Sequence, residues 1–246
     1  MRLLETLKAF ILNTLFPPVC VSCKKEGDFL CEDCLKSLDK KKIHPIYSKT
    51  EKDPDFHFLD GVIYALDYAK NPQIQAAVKQ LKYRFTQELA EHFSNLIAEK
   101  IGDLTMAKNK RIILIPVPLH RKRLNYRGFN QAEIIAKAVA NKMTDGKADV
   151  IDLLERSRET QQQAKLDKAS RHKNLKDAFK ISDQFCHSDR SGGMNKKCVH
   201  EYSSSNLYFL VDDVCTTGST LENCGEVLKS NGFKKVYGLV IARAFK

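Results

Sequence analysis

Asp212 and Asp213 close an apolar run, Leu207-Tyr-Phe-Leu-Val211, and a small, hydroxyl-rich stretch, Thr216-Thr-Gly-Ser-Thr220, follows directly. Adjacent carboxylates can accept hydrogen bonds from a pair of vicinal hydroxyls. Successive backbone N–H groups at a helix N-terminus suit a phosphate. Gly218 allows the backbone to approach closely. A phosphate beside a diol is a ribose 5-phosphate. Either half alone would read as an ordinary βα turn with surface acids; the two in this order point to a sugar phosphate held by Asp212, Asp213, Thr216, Thr217, Gly218, Ser219 and Thr220.

A second constellation is Cys20-x2-Cys23-x7-Cys31-x2-Cys34. Two CxxC pairs let four thiolates close a tetrahedron around one Zn²⁺. Free thiols or a redox pair are the alternatives, although a redox motif normally needs one pair in a thioredoxin-like setting. With four protein ligands such a site is closed and therefore structural. It would hold together a module too small to fold on its own core.

A third begins at Pro116-Val-Pro118 and continues through Leu119, His120, Arg121, Lys122, Arg123 and Arg127 to Asn130 and Gln131. It reads as a basic loop leaving the end of a buried strand, able to hold a pyrophosphate or a DNA backbone. Asn130 is a candidate N-cap for a helix opening at Gln131. Cations and amides recur at Arg156, Arg158, Gln161, Arg171 and Asn174, and at Lys82 and Arg84, where a solvated helix face is the plainer reading.

These groups need a scaffold. After Arg111, Ile112-Ile-Leu-Ile-Pro-Val-Pro118 is a continuous apolar run, as is Leu207-Tyr-Phe-Leu-Val211, which is expected of strands buried on both faces. Residues 61–68, 150–154 and 235–244 also read as strands. Ile74, Ala77, Val78 and Leu81, then Leu89, Phe93, Leu96 and Ile97, make helical stripes, and residues 131–143 form another helix. Strands alternating with helices predict an α/β fold with a mainly parallel sheet and flanking helices. We divide the chain into a leader helix with the four-Cys finger (residues 1–45), a linker (46–59) and the α/β domain (60–246), interrupted by a long polar loop at 182–206. That loop carries Cys186, His187, Cys198 and His200 at spacings that match no common metal knuckle.

At 246 residues, 43% hydrophobic and 29% charged, the chain has the composition of a soluble globular protein. Its net charge of +11 favours polyanions: nucleic acid, an acidic membrane surface or a polyphosphate. Eight cysteines without a clear signal peptide predict a reducing cytoplasm. Leu3, Leu4, Leu7, Phe10, Ile11 and Leu15 give the leader an apolar helical face, too short and too charged to span a bilayer. That face either docks on its own protein or lies against a partner or the inner face of the membrane.

Residues 207–220 resemble the PRPP-binding motif of type I phosphoribosyltransferases. Taken with the double CxxC knuckle, Leu81-Lys-Tyr-Arg84, Pro116 through Gln131 and Arg156 to Asn174, their order resembles the ComF family of competence-associated proteins. The resemblance implies an N-terminal zinc finger fused to a type I phosphoribosyltransferase fold. Asp212 and Asp213 would bind the ribose hydroxyls, and residues 216–220 the 5-phosphate. The segment with Pro118, Leu119, Arg121, Arg127, Asn130 and Gln131 would serve the pyrophosphate, and Lys82 and Arg84 a hood or a DNA track. Mg²⁺ would accompany PRPP. The family's role implies single-stranded DNA as ligand, natural transformation as setting and a competence DNA helicase as partner. The alternative is an active PRPP-dependent phosphoribosyltransferase with an unidentified acceptor and no DNA binding; no catalytic residue is identified. A purely structural adaptor built on the knuckle leaves the acid pair and phosphate turn without a purpose.

Overall fold

The computed structural model describes residues 17–38, 56–83, 87–102, 107, 110–143, 148–157, 178–185 and 206–244. The leader, most of the linker, Arg84, the segment with Arg158, Gln161, Arg171 and Asn174, and the cysteines and histidines of the polar loop lie outside them.

Five strands form one parallel sheet: β1 (Gly61–Asp67), β2 (Ile112–Pro116), β3 (Ala148–Val150), β6 (Leu207–Cys215) and β7 (Val236–Arg243), in the order β1-β7-β6-β2-β3. Every residue of β1, β2 and β7 is buried, as a sheet covered on both faces requires. The two-residue period sorts β6 between two cores. Leu207, Phe209 and Val211 join one face with Ile74, Leu81, Leu89, Phe93 and Ile135. Tyr208 and Leu210 join the other with Leu221, Cys224 and Leu228.

The helices are α1 (Glu32–Lys36), α2 (Pro72–Tyr83), α3 (Gln87–Gly102), α4 (Arg121–Arg127), α5 (Gln131–Lys142) and α6 (Ser219–Ser230). The expected stripes of α2 and α3 are the ones that face the core. Pro72 opens α2, where its fixed φ and missing N–H cost nothing. Asn130 caps α5, its side chain accepting from Ala132 N at 3.1 Å.

Two sequence expectations change. The basic segment after Pro118 is a helix rather than a loop: His120 Nδ1 caps α4 by accepting from Lys122 N, and Gly128 closes it in the left-handed conformation. Residues 150–154 are not one strand. β3 ends at Val150, and the chain turns through 151–153 into β4 (Leu154–Arg156), which pairs antiparallel with β5 (Phe179–Ile181) in a separate ribbon.

The cysteine knuckle packs on the sheet domain. Val21, Leu30 and Leu38 share the core of α3, and the Asp28 carboxylate meets His92 Nε2 at 3.0 and 3.1 Å. The last residues of the expected linker belong to the domain as well: Phe56 and Leu59 are buried. The amides of His57, Phe58 and Leu59 donate to the buried Glu222 carboxylate of α6 at 2.8–3.1 Å. No helix among the described residues is long and apolar enough to cross a membrane.

Candidate functional site

β2 and β6 are neighbours, yet β2 leads on to β3 on one side and β6 to β7 on the other. The chain therefore diverges at their carboxyl ends, and such a switch point leaves a crevice where ligands bind in open α/β sheets. A cleft of about 430 Å³ lies there.

Its floor is the end of β6 and the turn into α6. Asp212 Oδ1 accepts from Asp213 N at 2.8 Å, and Asp213 Oδ1 accepts from Val214 N at 2.7 Å. Each acid is thus oriented by the amide that follows it. Beyond them, Thr217 Oγ1 and Ser219 Oγ lie 2.9 Å apart, and Asn223 Nδ2 donates to Ser219 O at 2.7 Å. Gly218 turns the chain at φ 75°, and a Cβ there would lie 2.3 Å from the Phe56 ring. Only glycine fits that turn.

Phe56 is fixed from behind. The Arg243 guanidinium stacks on its ring at 5.2 Å, and the amides of the next three residues are tied to Glu222. Sequence reading missed both Phe56 and Glu222. A glutamate on an amphipathic helix looks solvent-facing, and its partners are main-chain amides that no motif reveals.

The walls are cationic. Lys82 Nζ lies 3.0 Å from Asp213 Oδ2. Burial would lower the Lys82 ammonium, but Asp213 and then Asp212 hold it above its ordinary value. Arg156 stacks on Phe179 at 5.2 Å; burial and the nearby Arg123 guanidinium lower it. Burial and the Asp213 charge push the Asp212 carboxyl up to about 7, against the pull of the Asp213 amide, Lys82 and Arg156. The cleft thus sets two acids against several cations and holds a carboxyl that titrates near neutrality.

Pro118, Leu119, Arg127, Gln131 and Lys82 stand around this cleft with the acid pair and residues 216–220. Arg127 Nη1 donates to Gln131 Oε1. Two residues expected beside the pyrophosphate lie off it. Arg121 is exposed on α4, and Asn130 caps α5 while its Nδ2 donates to Val117 O at 3.1 Å. Tyr68, Arg123, Tyr126 and Arg156 complete the rim, with Tyr126 90% exposed.

The knuckle is a second site. The Sγ atoms of Cys20, Cys23, Cys31 and Cys34 all lie within 4.8 Å of one another. A tetrahedral zinc–thiolate site with bonds of about 2.3 Å sets its sulfurs roughly 3.8 Å apart, so this donor set fits a metal such as zinc. Burial raises the Cys20 thiol, but the amides of Cys23, Cys31 and Ser22 converge on it and bring it down to about 6.

These features define an α/β protein with a ligand cleft at the switch point of a parallel sheet and a four-thiolate module docked on one flank. No family model matches the chain. It is 27% identical over 220 residues to DNA utilization protein YhgH of Salmonella typhi, covering 87% of this chain and 84% of that protein. It is 26% identical over 220 residues to the Escherichia coli K12 protein of the same name. Against Competence protein F of Haemophilus influenzae it is 30% identical over 131 residues, 53% of this chain and 50% of that one. These relatives are named for DNA utilization and competence, and at this modest identity they support the resemblance of the motif order to the ComF family of competence-associated proteins.

Proposed function

We propose that this chain binds PRPP on a type I phosphoribosyltransferase fold and handles single-stranded DNA during DNA uptake. The observation that carries the reading is the single cleft that joins the Asp212–Asp213 pair, the turn of residues 216–220 and a cationic rim. The 5-phosphate sits at the N-terminus of α6, the ribose hydroxyls face the acids, and the diphosphate lies toward Lys82, Arg123, Arg127 and Arg156. Mg²⁺ accompanies the diphosphate, screening its charge. Relatives named for DNA utilization and competence support a role in DNA uptake, and the net charge of +11 favours a polyanion. Helix α4 presents Arg121 and Lys122 outside the cleft next to the exposed ring of Tyr126, a basic and aromatic face suited to single strands. Zinc in the four-cysteine site stabilises the knuckle.

Calorimetry with PRPP and Mg²⁺ tests the sugar-phosphate reading. The Asp212→Asn/Asp213→Asn variant loses two charged acceptors, each worth roughly 1.5–3 kcal/mol, so affinity falls at least about a hundredfold. Equal affinity in wild type and variant overturns the diol assignment. Pyrophosphate release from PRPP, with and without single-stranded DNA, separates the binding protein from a phosphoribosyltransferase. Release that needs neither DNA binding nor DNA favours the enzyme.

A further inference from the structure

The two acids do not face the cleft as equals. The Asp213 side chain is only 5% exposed. One of its oxygens takes the Val214 amide and the other faces Lys82 Nζ at 3.0 Å. Asp212 is less buried, and its Oδ1 holds the Asp213 amide. Lys82 sits on the last turn of α2, a helix anchored in the core through Ile74, Ala77, Val78 and Leu81. The ammonium is therefore positioned by a rigid element at one end and a buried carboxylate at the other. It carries three donors and is ion-paired with that carboxylate.

We propose that Lys82 is the resident cation of the cleft. Asp213 holds it in place, and Asp212 is the more open of the two acids toward the sugar. The fixed ammonium then carries part of the counter-charge that a divalent ion would otherwise bring to the diphosphate. This rests on the PRPP reading above and adds to it a property that reading does not contain: binding of a sugar diphosphate is assisted by Mg²⁺ but does not depend on it.

The test is calorimetric titration of the full chain with PRPP, in Mg²⁺ and in EDTA, with ribose 5-phosphate as the ligand lacking the diphosphate. In wild type, removing Mg²⁺ weakens PRPP no more than about tenfold, a single lost charge contact. In Lys82→Met the same removal weakens PRPP by about a hundredfold or more, since the ammonium and the divalent ion are then both gone and only the guanidiniums of the rim remain. Ribose 5-phosphate binds both proteins alike. Lys82→Arg, which keeps the charge, retains binding in EDTA. If Lys82→Met leaves Asp213 too unstable to fold, Asp213→Asn/Lys82→Met removes both charges and replaces it. Wild type that loses PRPP in EDTA as fully as Lys82→Met overturns the proposal, as does equal weakening of PRPP and ribose 5-phosphate. Wild type that binds neither ligand in Mg²⁺ overturns the PRPP reading itself, and the proposal with it.

Discussion

Gly218→Ala isolates the support beneath the phosphate turn. Its φ of 75° lies in the left-handed region, which costs an L-residue about 1–2 kcal/mol. The new methyl would also lie 2.3 Å from Phe56 Cε1 and 2.7 Å from Cζ, closer than carbon atoms tolerate. Phe56 has little room to retreat: it is 3% exposed, lies under Arg243 and is followed by the three amides held on Glu222. Overpacking of this kind adds about 1–3 kcal/mol. The total is a loss of about 2–5 kcal/mol, read as a lower urea midpoint at unchanged m-value. Phe56→Ala on the same chain removes the clash but not the backbone strain. The double variant should therefore be more stable than the sum of the singles by about 1–3 kcal/mol. Ribose 5-phosphate affinity should fall with Gly218→Ala and partly recover in the double variant. A loss below about 1 kcal/mol that adds independently to Phe56→Ala refutes the argument.

Zinc should be present at one ion per chain and be lost in both Cys20→Ser and Cys31→Ser; full retention in both, by elemental analysis, removes the four-cysteine assignment. Asp212 is protonated at higher pH in the folded chain than in the unfolded one, since its folded value is raised to about 7. Its contribution to stability is therefore greatest below the ordinary carboxyl range and is lost as pH rises toward 7, and Asp212→Asn should flatten that part of the unfolding profile. Single-stranded DNA binding should weaken steeply with salt, at a slope of about −0.7 per phosphate contact, and Arg121→Ala/Lys122→Ala should make the slope shallower by about 1.4 while PRPP affinity holds. An unchanged slope in filter binding takes α4 out of the DNA site.

What the sequence made legible was local. The acids and the hydroxyl-rich turn are contiguous, and the four cysteines fall within residues 20–34, so spacing alone proposes a chemistry for each. The parallel sheet was legible because strands buried on both faces are continuous apolar runs. What escaped depends on neighbours far apart in the chain. Nothing near Lys82 announces Asp213 as its partner, and Glu222 is defined by amides 163–165 residues earlier. The α4 segment reads as a loop because it has no buried residue and so no apolar periodicity to mark it as a helix. Its helix rests on caps at His120 and Gly128 instead. The break between β3 and β4 escaped because residues 150–154 form an unbroken strand-like run, and only pairing distinguishes two sheets from one.

The sheet order has a consequence for how the chain is made. Among the described residues β1 pairs with β7 alone, and the Asp60 carboxylate accepts from Val236 N across 176 residues of sequence. At roughly 5–20 residues per second, β1 therefore leaves the ribosome on the order of 10–35 s before its partner exists. Through that interval a strand that is apolar up to Asp67 has no partner on either edge, the kind of segment that seeks pairing with other chains. The knuckle faces no such delay, because its four ligands emerge almost together. Synthesis thus produces a metal-ready module first and the closed sheet last, and a chain cut short before Val236 cannot cover β1.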